Sequence, residues 1–168
     1  ANAGPCFGDV RIGDHDIGRI VIHPDRPEEL VVAVLGHLYS RNTERGIYKS
    51  TDGGKSWQQT LFLDEGTGFV DLVAAPENPN ILFAAAWERD RKAWNFTGNG
   101  SGSGIYKTTD GGTNWSPANT GIPASTPALD LAISSDGVLF ACVGYCTYRM
   151  AASNHRCRRH AIRASSTK

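Results

Sequence analysis

The chain has 168 residues, 40% of them hydrophobic, with 17 basic against 17 acidic side chains. That length fits one ordinary domain, and that apolar share can fill a core, so general disorder is excluded. A zero net charge argues against a nucleic-acid binder, and no apolar run approaches the ~20 residues of a membrane-spanning helix.

The chain begins at Ala1 without an initiator methionine, so a mature form or an excised piece is expected. Residues 1–16 read as a lead-in. His15 and Asp16 at its end could form a catalytic dyad, but no nucleophile motif accompanies them, and ordinary loop polarity is the expectation.

Four strands are then expected, at about Arg19–His23, Leu30–Leu35, Gly46–Ser50 and Ser56–Leu63. β-Branched and aromatic residues fill these runs, and Pro24, Pro27 and the Asp52-Gly53 dipeptide punctuate them. The pattern then repeats. Gly46 to Trp57 reads GIYKSTDGGKSW and Gly104 to Trp115 reads GIYKTTDGGTNW, an offset of 58 residues. The stretch Leu72–Ala86 likewise echoes Ile20–Leu35, and a third copy begins at Leu129 and fades after Val143.

Four antiparallel strands per unit at such a period read as a propeller blade. The expected blades are about 17–63, 69–119 and 128–145, the last with two strands only. No segment keeps a 3.6-residue period, so the fold class is all-β, an incomplete propeller with little helix. Such a segment leaves blade faces unpaired. Either it belongs to a larger propeller or it closes by self-association; three copies of about two and a third blades would make seven.

Ser50-x-Asp52-x-Gly54-x-x-Trp57 and Thr108-x-Asp110-x-Gly112-x-x-Trp115 resemble the Asp-box of BNR repeats. The likeness covers roughly residues 12–145. It extends to the propellers of sialidases, xyloglucanase-type glycoside hydrolases and sortilin-like proteins, and above all to bacterial proteins described as glycosyl hydrolases with BNR repeats. The resemblance implies an extracytoplasmic or secreted setting. It also implies that the boxes are structural: the hydroxyl and carboxylate accept turn amides, and the tryptophan packs between sheets.

Chemistry is expected on the opposite side, in the loops joining strand two to three and strand four to the next blade. The first such loop holds His37, Glu44 and Arg45, and the second holds Trp87, Glu88, Arg89, Asp90, Arg91 and Trp94. Aromatic faces that stack on sugars, beside arginines and acids that bind hydroxyls or carboxylates, suit a glycan site. Trp87, Arg89, Arg91, Trp94, His37 and Arg45 are therefore the candidate ligand-binding residues. Glycoside hydrolysis needs two carboxyls. The candidates are Glu44, Glu88 and Asp90, with Asp64 and Glu65 nearby, but no motif assigns them. The arginine cluster and tyrosine nucleophile of sialidases have no assignable counterpart, and where xyloglucanase-type enzymes carry a catalytic Asp the loop offers His37 and Glu44.

The leading expectation is a carbohydrate-facing propeller segment that is not catalytic alone. The alternatives are a protein-interaction scaffold like sortilin-type propellers and a sialidase-like glycosidase active as it stands. A glycan or protein ligand, or a second copy of the chain, is the expected partner; nucleic acid and membrane are not.

Beyond Tyr145 the composition changes. From Thr147 to Lys168 there are six basic residues and no acids, which leaves 11 basic against 17 acidic elsewhere. Residues 146–168 read as a basic tail outside the propeller pattern, disordered or not native. Cys142, Cys146, His155, Cys157 and His160 could be taken as a zinc cluster, but the second half of the spacing is cramped. No metal or cofactor is assigned, and the state of Cys6, Cys142, Cys146 and Cys157 is left open.

Overall fold

In the computed structural model, residues 16–144 are described with their side chains, and residues 146–151 and 158–159 by backbone alone. Among the described residues, three four-stranded antiparallel sheets follow one another along the chain. Blade one is β1 (Asp16–Ile22), β2 (Leu30–Gly36), β3 (Gly46–Ser50) and β4 (Gln58–Leu61). Blade two is formed by β5 (Thr67–Ala75), β6 (Asn78–Glu88), β9 (Gly104–Thr108) and β10 (Ser116–Pro117). Between β6 and β9 the chain makes a separate two-stranded hairpin, β7 (Asp90–Lys92) with β8 (Asn95–Thr97), that pairs only with itself. Blade three is β11 (Ala128–Ile133), β12 (Val138–Val143), β13 (Cys146–Ala151) and β14 (Arg158–Arg159). No helix occurs among the described residues, so none is long and apolar enough to cross a membrane.

The expected strands of blade one fall where their sequence runs lie, with β4 trimmed to its central residues. The third sheet differs from the two-strand expectation. Its backbone continues past 145 into the segment read as a tail, and Phe140 there sits opposite Arg149. Strand pairing is made by backbone groups, so the change in side-chain composition did not reveal it. The lead-in residues 1–15, with Cys6 and His15, lie outside the described residues. So do the side chains of Cys146, His155, Cys157 and His160; Cys142 is a free thiol.

The blades stack face to face, and that stacking makes the core. Val31, Ala33 and Ile47 of blade one meet Phe69, Leu72, Leu82, Ala84, Ala86 and Tyr106 of blade two. Phe83, Ala85, Ile105 and Ala118 on its other side meet Ala128, Leu131, Leu139, Ala141 and Val143 of blade three. A strand covered on both faces reads as an unbroken apolar run, as in LVVAVL of β2. Small residues let the sheets approach. Gly18 lies against the Val70 carbonyl, where a side chain would overlap the backbone.

The first strand of every blade carries a register shift at one place: between Ile17 and Arg19, Phe69 and Asp71, and Ala128 and Asp130. In the middle blade this sets Asp71 at the meeting point of all three. Its Oδ1 accepts from Arg19 Nε of blade one at 2.8 Å and from Leu72 N at 2.9 Å, and its Oδ2 accepts from Leu131 N of blade three at 2.8 Å.

The two repeated turns are built alike. Ser50 Oγ donates to Asp52 Oδ1 (2.8 Å) and accepts from Gly54 N (2.8 Å), and the same carboxylate oxygen accepts from Lys55 N and Ser56 N. Trp57 Nε1 closes the turn on Gly54 O at 3.0 Å. Thr108, Asp110, Gly112 and Trp115 repeat these bonds. Gly54 and Gly112, at φ 85° and 87°, occupy the left-handed region that a Cβ disfavours. Trp115 Nε1 also donates to Thr60 Oγ1 of blade one at 3.3 Å, and Lys49 Nζ to Thr113 Oγ1 at 3.1 Å, so the second turn ties the two blades together.

Candidate functional site

At the opposite end of the blades from these turns, three loops converge: 37–45, 62–66 and 88–103. Arg41, Gly66, Glu88, Arg89, Asp90, Thr97 and Asn99 line a cleft of about 180 Å³ there.

The cleft is framed by side chains fixed on strand ends. Trp87 and Glu88 close β6. Trp87 Nε1 donates to Gly98 O at 2.7 Å, and its ring meets Phe96 edge-on at 5.9 Å between centroids. Arg89 lies over the Trp87 ring at 5.6 Å, and its guanidinium pairs with Asp16 at 3.4 Å. Glu88 Oε2 accepts from Gly102 N at 3.0 Å, and its amide donates to Ser103 Oγ. Asp90 pairs with Lys92 at 3.4 Å. Asp64 is held by its own loop: it accepts from Gly66 N, Thr67 N and Thr67 Oγ1, with Arg41 at 3.6 Å.

The hairpin β7–β8 borders this cleft, to which its ends Asp90 and Thr97 contribute. Trp94, at its tip, is 84% exposed, and Phe96 is half-exposed beside it. Arg91 lies over the Tyr39 ring at 5.7 Å. His37 and Glu44 face each other at 3.9 Å and do not line the cleft.

The structure thus brings Glu88, Arg89 and Asp90 to the cleft, with Trp87 beside Arg89, and leaves Arg91 and Trp94 on the adjoining hairpin outside its lining. It does not bring Arg45 to them as a ligand group. Arg45 is fully buried and directs its guanidinium at backbone: Nη1 donates to Gly66 O (3.0 Å), and Nη2 to His37 O and Ser40 O (both 2.9 Å). Burial, then the nearby charges of Arg89 and Arg41, lower its pKa from the usual arginine value. Its place is that of a pin across the loops. Arg41 reaches the cleft from the 37–45 loop, far from Glu88 along the chain, while Thr97 and Asn99 come from the same 88–103 loop as Glu88 and are uncharged residues that its composition did not mark.

Asp52 and Asp110, the other acids that a sequence scan singles out, are spent inside their turns. Hydrogen bonds from Ser56 and then Ser50 hold the Asp52 carboxyl well below the usual range. At Asp110 burial opposes ionisation, but bonds from Asn114, Thr108 and Thr113 outweigh it and hold that carboxyl equally low. Among the described residues, no group of three His, Cys, Asp or Glu side chains is placed to hold a metal ion.

Three stacked four-stranded sheets, with inner strands β1, β5 and β11 side by side and loops gathered at one end, define an incomplete all-β propeller. The chain superimposes on the GH74 xyloglucanase from Xanthomonas campestris with a TM-score of 0.58 at 16% identity, over 84% of this chain and 22% of that one. The GH74 enzyme from Niastella koreensis (16% identity, 85% of this chain, 30% of that chain, TM-score 0.37) and YCF48 from Cyanidioschyzon merolae (14%, 92%, 59%, 0.38) match too loosely to carry an argument. This chain therefore spans about a fifth of the length of the xyloglucanase, and the likeness is one of fold. No family model and no curated protein matches the sequence.

Proposed function

We propose that this chain is a carbohydrate-facing segment of a BNR-type propeller, binding glycans at the cleft beside the β7–β8 hairpin without hydrolysing them by itself. The observation that carries this reading is the exposure of Trp94 and Phe96 on the β7–β8 hairpin, whose ends Asp90 and Thr97 line a polar cleft with Arg41, Glu88, Arg89 and Asn99. An aromatic face covers the apolar face of a sugar ring, while arginine and carboxylate groups take its hydroxyls. The fold likeness to a glycoside hydrolase propeller supports the same class of ligand, and an extracytoplasmic setting goes with it. Against autonomous hydrolysis stands the engagement of the carboxyls: Glu88 accepts a backbone amide, and Asp90 pairs with Lys92.

The test is a glycan array probed with the chain and with Trp94→Ala. Binding that disappears with Trp94→Ala, at an unchanged melting temperature, supports the reading. A blank array for the parent chain overturns it. Turnover of a glycoside that is lost in Glu88→Gln would instead establish an enzyme active as it stands.

A further inference from the structure

Glu88 is held differently from the other charged groups that line the cleft. Arg41 has the Asp64 carboxylate at 3.6 Å, Arg89 has that of Asp16 at 3.4 Å, and Asp90 has the Lys92 ammonium at 3.4 Å. Among the described residues, no cation forms such a pair with Glu88. Backbone holds it instead. Its Oε2 accepts from Gly102 N at 3.0 Å, and its Oε1 accepts no hydrogen bond among the described residues.

The segment that holds Glu88 follows the hairpin and alternates glycine with small polar residues, reading GNGSGSG from Gly98 to Gly104. A Cβ on Gly100 would overlap the Glu88 carboxyl group, and one on Gly102 would overlap Thr67 Oγ1. Bare backbone thus lets this strap close against both side chains. Three further bonds fasten it. Trp87 Nε1 donates to Gly98 O at 2.7 Å, the Glu88 amide to Ser103 Oγ at 3.0 Å, and Tyr106 Oη to Gly102 O at 3.3 Å. Ser103 and Tyr106 are both buried. The Glu88 carboxylate is therefore set in place before any ligand arrives, and using its second oxygen costs little further ordering.

A fixed carboxylate oxygen with no cation beside it takes a hydrogen bond from a hydroxyl group and repels a second carboxylate. The two guanidinium groups that could offset this repulsion already have carboxylates next to them. We propose that Glu88, positioned by the strap at 98–103, determines the specificity of the cleft. Its Oε1 accepts from a hydroxyl of an uncharged sugar ring, and rings that carry a carboxylate are turned away. This role rests on the glycan-binding reading above and adds to it the residue that selects and the class of sugar selected.

The experiment is a glycan array of neutral oligosaccharides beside counterparts in which one ring carries a carboxylate, probed with the parent chain, Glu88→Gln and Gly100→Ala. The parent is expected to bind neutral members at least about tenfold more tightly than their acidic counterparts. Glu88→Gln keeps an oxygen for Gly102 N and offers the ligand an NH2 donor, so the acidic members are expected to gain and the preference to vanish or reverse. A role confined to structure would not move that ratio. The strap is read without ligand, by hydrogen exchange at Gly102 N. Exchange is expected to quicken in Gly100→Ala, whose Cβ displaces the carboxyl, and in Glu88→Ala, which removes the acceptor without adding an atom to the strap. Thermal melts identify a variant that fails to fold, and Glu88→Ala then decides. A parent chain that binds both classes equally, or a Glu88→Gln chain with an unchanged preference, overturns the role of Glu88 and leaves the glycan-binding reading standing. Unchanged exchange at Gly102 in folded variants overturns the strap. A blank array for the parent overturns both the reading and this role.

Discussion

Asp71 is the residue on which the three blades converge, and replacing it separates two contributions. In Asp71→Asn one oxygen remains. If it stays with Arg19 and Leu72, the new NH2 group faces the Leu131 amide, a donor against a donor. Losing a hydrogen bond to a charged acceptor costs about 1.5–3 kcal/mol, and a buried unsatisfied amide adds about 1–3 kcal/mol. A total of roughly 3–5 kcal/mol is a large part of the ~5–15 kcal/mol that holds a domain together. For a chain of this size it lowers the melting temperature by roughly 6–20 °C. Arg19 is half-exposed, so its ion pair is screened by solvent, and Arg19→Ala should cost no more than about 1 kcal/mol. Thermal unfolding followed by circular dichroism, with Asp25→Asn as a surface control, measures all three. The reasoning fails if Asp71→Asn melts within about 1 kcal/mol of the parent chain, or if Arg19→Ala is equally damaging, since the cross-blade amide bond would then contribute little.

Gly18→Ala places a methyl group on the Val70 carbonyl and should destabilise the chain by roughly 1–3 kcal/mol in a denaturant melt. Arg45→Met leaves the carbonyls of His37, Ser40 and Gly66 without their donor and should cost about 2–3 kcal/mol; Arg45→Lys should not restore it, because an ammonium lacks the guanidinium fork. Proteolytic cutting within 37–45 reports the same loosening. Asp52 and Asp110 ionise more readily folded than unfolded, so their contribution is complete above the ordinary aspartate value of 3.8 and fades as the pH falls below it. The Asp52→Asn, Asp110→Asn double variant should therefore show a flatter loss of stability between about pH 5 and 2 than the parent chain; an unchanged acid limb would count against these bonds.

How far the sequence could be read depended on how local each feature is. The repeated GIYK strands and the DGG turns involve residues within a dozen positions, and they lie where the repeat puts them. The aromatic loop at 87–96 was also visible, because composition alone marks it. Its folding into a hairpin beside the cleft was not, since β7 and β8 are three residues each and carry no alternation. Arg45 read as a ligand group because a charge in a loop reads as exposed; the carbonyls it binds come from two separate loops. Asp71 belongs to no motif. Only an alignment of Arg19, Asp71 and Asp130 at the register shift would have singled it out. Blade three was undercounted because the sequence likeness ends at 145 while the backbone pairing continues.

The hairpin β7–β8 shares no backbone pairing with the blade that carries it. It is fastened at its base, through Trp87 to Gly98 and Glu88 to Gly102. Blade stacking, which holds the molecule together, is settled on other residues. On the glycan-binding proposal, recognition and folding fall on separate stretches of one chain. On that proposal, a randomised library placed at the exposed tip around Trp94 would vary the ligand surface while leaving the Phe96–Trp87 and Arg91–Tyr39 contacts to the blades in place.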